Sequence, residues 1–289
     1  MKFILTSDLH LRYTKPRCRI DDDWIETQRK QLEFIAQQSK DHESCPIVIT
    51  GDIFHTPNVP DTIKHMLINT FFNCKVYILA GQHDLPYHKW EYVETSSFGL
   101  LWAIKDNFSP LIEFGVYSHW ECDFINAKQT GLYFTHRPVF EGKVPPFMDN
   151  GINAQDFLDE LPDAKWIFAG DHHRGFHYEN NGQHVIVPGC LNRQASDFRD
   201  YVPVIWFVDT DKEVVEPIEV PDDKNMVVVD IFAKSSKERN KNISSIAERI
   251  DSGDEIELDF EKSVFCEDLK KLNEDAQNFI FDIFGHEKN

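Results

Sequence analysis

Five short clusters hold the residues of this chain that could do chemistry. They are Asp8 and His10 in "SDLHL", Asp52 and His55 in "GDIFH", Gln82, His83 and Asp84 in "AGQHD", His136 in "FTHR", and Asp171 and His173 in "AGDHHR". Carboxylate oxygens, an amide oxygen and imidazole nitrogens are the donors that hold divalent cations, and a carboxylate such as Asp52 has two oxygens, enough to bridge two ions. Taken singly, each cluster has a plainer reading. Asp-x-His at a strand end is usually a turn or a surface pair, Asp52 can cap a helix or close an Asx turn after Gly51, and His136 can be a polar strand end. His55 can equally be a partly buried loop histidine. None of these explains why all five clusters share one setting.

That setting is the end of an apolar run. "KFILT", "PIVIT", "KVYIL", "GLYF" and "KWIFA" each read as a short buried strand that stops at Gly, Asp or His. Helical periodicity fills "DDDWIETQRKQLEFIAQQSK" and "VPDTIKHMLINTFF", the first opened by Asp21, Asp22 and Asp23 as a solvated helix start. Strand-helix alternation predicts a largely parallel sheet, whose carboxyl edge gathers functional loops. Strand alternation is expected to put Asp8 with His10 and Asp171 with His173 on one face, turning His172 away into a structural role. "QHVIVPG", "YVPVIWFVD" and "EVVEPIEV" predict further strands in a second, more antiparallel half. After "VPDDKN" a strand-helix-strand-helix appendage is expected, which gives two domains, 1–221 and 222–289. Trp90 and Tyr92 read as core packing before base stacking, and His65, His88 and His119 have no partner at an interpretable spacing.

With 289 residues, 41% of them hydrophobic and 13% aromatic, the chain has the apolar surface for a large core, which argues against disorder. The six cysteines are scattered without a CxxC pair, which argues against zinc ribbons and disulfide frameworks and for a reducing, cytoplasmic setting. No signal-peptide architecture or run of about 20 apolar residues is present, so no membrane partner is expected. A formal charge of −19 disfavours non-specific adhesion to nucleic acid, so a polyanionic substrate has to be met by cations or a local basic face. Basic residues concentrate modestly at "LRYTKPRCR" and "SSKERNK".

The succession D-x-H, G-D-x-x-H, G-Q-H-D, T-H-R and G-D-x-H, spanning residues 8 to 173, resembles the signature of the calcineurin-like metallophosphoesterases. The nearer likeness is to their nuclease branch, the SbcD subunit and its relatives in the MRN DNA-repair complex. "GDIFHTPNVP" and "VPGCLNRQ" resemble that branch's second motif and the glycine-rich turn after its last one. The resemblance implies an α/β two-sheet sandwich flanked by helices, with a small C-terminal α/β capping domain. It implies two divalent metal ions, manganese or alternatively magnesium, one held by Asp8, His10, Asp52 and His173 and the other by Asp52, Gln82, His136 and Asp171. His83 would be the non-ligand histidine that protonates the leaving group or stabilises transition-state charge, oriented by Asp84, and His55 would help to place the phosphate. Gln82 stands where the family has asparagine and Asp171 where it has histidine, a shift towards hard oxygen donors that favours manganese or magnesium over zinc.

The function this implies is DNA cleavage by a two-metal site, as an exonuclease or endonuclease in repair, recombination or degradation. Expected partners are DNA, an SbcC-like ATPase and a second copy of the chain. The chain ends soon after the appendage, which leaves little room for the segment that binds the ATPase in that branch and fits a compact, phage-encoded version. The alternatives are a phosphodiesterase or phosphatase acting on nucleotides or phosphoproteins, and a catalytically weak binding or regulatory homologue. An acidic DNA mimic would use the charge and none of the motifs.

Overall fold

The structure is a computed structural model that describes residues 1–104, 107–111, 116–118, 131–146, 148 and 150–228. The chain divides into two compact units, Met1–Val229 and Asp230–Asn289. The expected capping domain therefore lies almost wholly outside the described residues, while residues 222–228, expected to open it, run with the first unit.

Two sheets form the first unit. The first has the order β13-β12-β1-β2-β3-β4, built from β1 (Lys2–Thr6), β2 (Ile47–Thr50), β3 (Val76–Leu79), β4 (Phe108–Pro110), β12 (Val204–Asp209) and β13 (Val214–Glu219). Its partner has the order β10-β11-β9-β6-β5, from β5 (Val116–Ser118), β6 (Leu132–Thr135), β9 (Trp166–Ala169), β10 (Phe176–Asn180) and β11 (Gln183–Val187). A two-stranded ribbon, β7 (Val139–Phe140) with β8 (Ile152–Asn153), completes the strands. Residue alternation divides the core into layers. Phe3, Leu5, Val48, Leu79, Trp206 and Val208 of the first sheet meet Phe134, Trp166, Phe168 and Ile186 of the second in one buried cluster. The outer face of the first sheet, with Ile4, Ile47, Ile49, Val76 and Ile78, packs under helices α1 (Trp24–Asp41), α2 (Asp61–Thr70) and α3 (Ser97–Ala103). On the far side of the second sheet, Ile167, Val185 and Val187 pack on Phe157 and Leu158 of α4 (Ala154–Glu160).

The expected two-sheet sandwich is present, but its second half is not antiparallel. β11, β9, β6 and β5 run parallel, and only β10 opposes them. The antiparallel strands β12 and β13 belong instead to the first sheet, where β12 pairs with β1. The physical reason lies in β12, whose Ile205 faces the helix-side core while Trp206 and Val208 face the inter-sheet core, so it needs a neighbour covered on both faces, which β1 provides.

Helix α1 begins at Asp23, whose carboxylate accepts from the Glu26 amide at 3.0 Å. Asp21, expected to be solvated, is buried and accepts from Arg19 Nε and Nη2, both at 2.7 Å. Arg19 also donates through Nη1 to Asp222 Oδ1 at 2.8 Å, and Asp222 Oδ2 accepts from Arg193 Nη1 at 3.0 Å. This network ties the loop after β1, the turn after β11 and the segment beyond β13 around one carboxylate. Asp222→Ala would leave two buried guanidinium groups short of a counter-charge, and the expected loss is about 3–5 kcal/mol of unfolding free energy. Urea unfolding of the two proteins measures it; a loss below about 1 kcal/mol would show that the network does not hold these loops.

Candidate metal centre

All five clusters lie at carboxyl ends of parallel strands: Asp8 and His10 after β1, Asp52 after β2, Gln82 and His83 after β3, His136 after β6, and Asp171 and His173 after β9. The turns out of these strands are sharp. Asp8, His10, Asp52 and Asp171 have φ of 49°, 44°, 49° and 73°, a left-handed conformation uncommon for non-glycine residues and typical of sites held by their surroundings. The i, i+2 pairs thus converge through strained turns beyond the strands, not through strand alternation as expected. Pairing holds these turns in place, because Asp8 N–H donates to Gly51 O at 3.0 Å and His10 N–H to Asp52 O at 3.0 Å. Glycine at 51 and 170 admits His136, since a Cβ there would lie 2.1 and 2.4 Å from its Nδ1.

Six of the seven expected ligands form two abutting donor sets. His10 Nε2 lies 3.1 Å from His173 Nε2 and 3.8 Å from Asp8 Oδ1, which is 3.6 Å from His173 Nε2. On the other side His136 Nε2 lies 3.4 Å from Asp52 Oδ2 and 3.9 Å from Asp171 Oδ1. Asp52 Oδ2 joins the two, at 3.7 Å from His10 Nε2. Donors about 2.0–2.2 Å from one cation are separated by roughly 3.0–3.6 Å, so the spacings are close to those of a coordination shell. Asp8 Oδ1, Asp52 Oδ2 and His136 Nε2 are buried with no hydrogen-bond partner among the described residues. Buried polar atoms without partners are costly, and divalent ions would satisfy all three. The residues present therefore fit two metal ions. His136 is already set for this role, because its Nδ1–H donates to Thr50 O at 2.7 Å and leaves Nε2 towards the carboxylates. His172 turns away and packs on Phe140, ring centroids 4.6 Å apart.

Two placements differ from expectation. Gln82 presents its amide nitrogen, donating through Nε2 to Asp171 Oδ1 at 2.6 Å. The two departures from the family pattern therefore touch: the longer side chain reaches, and the carboxylate at 171 attracts the donor end of the amide. Asp84 does not orient His83. Its buried carboxylate accepts from the backbone amides of Gly81, Ile53 and Phe54 at 3.0, 3.2 and 2.8 Å, fixing the turn that carries Asp52. His83 is oriented by its Nδ1–H donating to His55 O at 2.9 Å and its backbone N–H donating to Asp52 Oδ1 at 2.9 Å. His55 lies beside the centre, its ring stacked 5.5 Å from His83, and its Nε2 accepts from Arg12 Nη1 at 2.9 Å.

Arg12 is a functional candidate that sequence reasoning passed over. It lines a cleft of about 220 Å³ with His10, His55, His83, His173, Gln194 and Phe198. The signal was present in "HLR", a cation two residues beyond His10, and in the basic run that follows.

The electrostatics are those of a site built around positive charge. Burial pushes Asp8 up to about 6, against the pull of His136 and His173. Burial also acts to raise Asp52, but His136 and His10 outweigh it and hold it below the usual carboxylate range. His136 is lifted well above its ordinary value because Asp52, Asp8 and Asp171 overcome its burial, while burial lowers His10. Burial, then Arg12 and His83, bring His55 down to about 4, so it is neutral near pH 7.

The profile of the calcineurin-like phosphoesterase family matches residues 1–186. The chain belongs to that family. Calcineurin-like phosphoesterases are metal-dependent hydrolases of phosphate esters that typically hold two divalent ions, and the donor sets above are this member's candidates for them. No curated protein matches the sequence. Solved structures similar to it include a novel archaeal phosphodiesterase, 17% identical, covering 76% of this chain and 100% of that one with a TM-score of 0.40. A dimetal phosphatase from Danio rerio is 11% identical, covering 72% and 92% with a TM-score of 0.43. A predicted phosphoesterase from Streptococcus pneumoniae is 12% identical, covering 75% and 97% with a TM-score of 0.34.

Cation binding has to displace the proton from His136 Nε2, and below about pH 6 a second one from Asp8. Affinity for manganese should therefore rise with pH, by roughly tenfold per unit for each proton displaced. Calorimetry in two buffers of different ionisation enthalpy should register net proton release at pH 7, and more at pH 5.5. Proton uptake, or an affinity independent of pH, would contradict the assignment.

Proposed function

We propose that this chain is a two-metal phosphodiesterase that cuts DNA, a nuclease of the SbcD type. The observation that supports it most strongly is the buried Asp52 Oδ2, lying between the two donor sets within 3.4 Å of His136 Nε2 and 3.7 Å of His10 Nε2. When bound, two divalent cations neutralise charge on the phosphodiester and acidify the attacking water. The chain's own residues do the rest. His83, with Nδ1–H tied to His55 O, keeps Nε2 for the proton that the leaving oxygen needs. Arg12 brings a fixed cation to the cleft, and its N–H to His55 Nε2 holds that neutral ring in place beside the phosphate. Asp84 keeps the loop of Asp52 in register with Gly81.

DNA as the substrate rests on "GDIFHTPNVP" and "VPGCLNRQ", which resemble the nuclease branch, and on the site's edges. Tyr87, four residues beyond His83, is 80% exposed and has a ring free of the core for stacking on a base. Trp90, by contrast, packs on Trp102 with ring centroids 4.8 Å apart. A strongly acidic protein can take a polyanion here because bound ions and Arg12 dominate the local charge. The same reading carries manganese as the working ion, an SbcC-type ATPase and a second copy of the chain as partners, and the cytoplasm, in a phage-infected cell if phage-encoded, as the location. No helix among the described residues is long and apolar enough to cross a membrane.

Metal-stripped protein supplied with manganese should cleave linear DNA as well as bis-p-nitrophenyl phosphate, and zinc should not replace manganese. His83→Ala should slow DNA cleavage about 10²–10⁴-fold while metal content stays the same. Cleavage of the small ester alone would overturn the nuclease reading in favour of a small phosphodiesterase, and recovery with zinc but not manganese would overturn the metal preference.

A further inference from the structure

A second cluster of metal-ligating side chains lies away from the five motif loops, on the hairpin of β10 and β11. Glu179 and His184 face each other across this antiparallel pair, and His177 is two residues before Glu179, so all three share one face. His177 Nε2 lies 3.1 Å from His184 Nδ1, and His184 Nδ1 lies 3.9 Å from Glu179 Oε2. One donor atom from each falls within a sphere that a single cation could occupy, all three lying within 4.8 Å of one another.

The setting of His184 is the second observation. It is 4% exposed, in the row that leads to Ile186 and the inter-sheet core, with its ring stacked flat on Trp166 at 4.0 Å. Its Nδ1, the nitrogen that faces the cluster, meets the imidazole of His177 and the more distant Glu179 carboxylate, and no backbone carbonyl among the described residues. A buried imidazole is normally fixed by a carbonyl or carboxylate. Here the groups facing it are another imidazole, a carboxylate and aromatic rings, with Trp206 6.4 Å from the His177 ring. Burial lowers both histidines, and for His177 the neighbouring His184 acts in the same direction, while the Glu179 carboxylate opposes the shift in both.

We propose that His177, Glu179 and His184 form a separate site for one borderline transition-metal ion, of the zinc, nickel or copper type. Two imidazoles with a single carboxylate suit such ions better than magnesium, which prefers an all-oxygen shell, or manganese, for which the motif site offers more carboxylates, and three protein donors leave room for water. The site clips β10 to β11. That hairpin grows directly from the catalytic loops: β10 begins three residues after His173, and β11 ends three residues before Cys190, whose N–H donates to His173 O at 3.0 Å. A cation there steadies the base on which His173 is carried.

The test is equilibrium dialysis of the full chain against zinc, with manganese present to fill the motif site, followed by metal analysis. Wild-type protein should retain one zinc equivalent more than His177→Ala or Glu179→Gln, and manganese content should match in all three. His177 and Glu179 are partly or fully exposed, so these variants keep the core intact, and circular dichroism checks the fold. Copper added in the same way should give an electron paramagnetic resonance spectrum with nitrogen coupling that His177→Ala removes. Equal zinc content in wild type and both variants, with no copper signal dependent on His177, would overturn the site.

Discussion

The buried carboxylate of Asp52 is the constraint around which the rest of the unit is arranged. One oxygen is anchored by the backbone of His83, and the other points between two sets of donors without a hydrogen bond. A charge placed so far from water is tolerated only where opposite charge is supplied, and an isolated one costs several kcal/mol even after relaxation. Five strand ends from two sheets supply imidazoles and further carboxylates at that point. The inter-sheet core of Phe3, Phe134, Trp166 and Phe168 keeps the two sheets in register, so that ligands from β1, β2 and β3 meet those from β6 and β9.

Local strain follows from the same constraint. Four ligand candidates adopt left-handed backbone conformations, each costing of order 1–3 kcal/mol, and the loops persist because they are cross-braced. Asp84 satisfies three backbone amides around Asp52, and its buried carboxyl is pushed up to about 7 by burial and by the Asp52 charge, while those amides pull the other way. Asp222, far along the sequence, braces the loop that begins just after His10 by gripping Arg19. Charge placement in the fold thus serves two centres, one whose donors suit cations and one that supplies its own counter-charges.

Much of this was legible in the sequence. Short apolar runs ending in Gly, Asp and His located β1, β2, β3, β6 and β9 and the edge where the candidate residues gather, because strand-end chemistry is a local property, whereas the left-handed turns that bring Asp8, His10, Asp52 and Asp171 together are not. What local pattern does not encode is which backbone amides a carboxylate will meet. Asp84 therefore read as a partner of His83, and Asp21 as solvated. Pairing of β12 with β1 was equally invisible, since it depends on where a long connection returns the chain. The Gln82–Asp171 contact joins residues 89 positions apart, and each looked like a separate departure until the hydrogen bond made them one arrangement.

The central claim is that Asp52 is shared by two cations, and metal analysis of Asp52→Ala beside wild type tests it most directly. Wild-type protein saturated with manganese should hold two equivalents at the motif site, and Asp52→Ala should lose affinity for both together. A variant that kept one equivalent at wild-type affinity would contradict a shared carboxylate and leave two independent sites in its place.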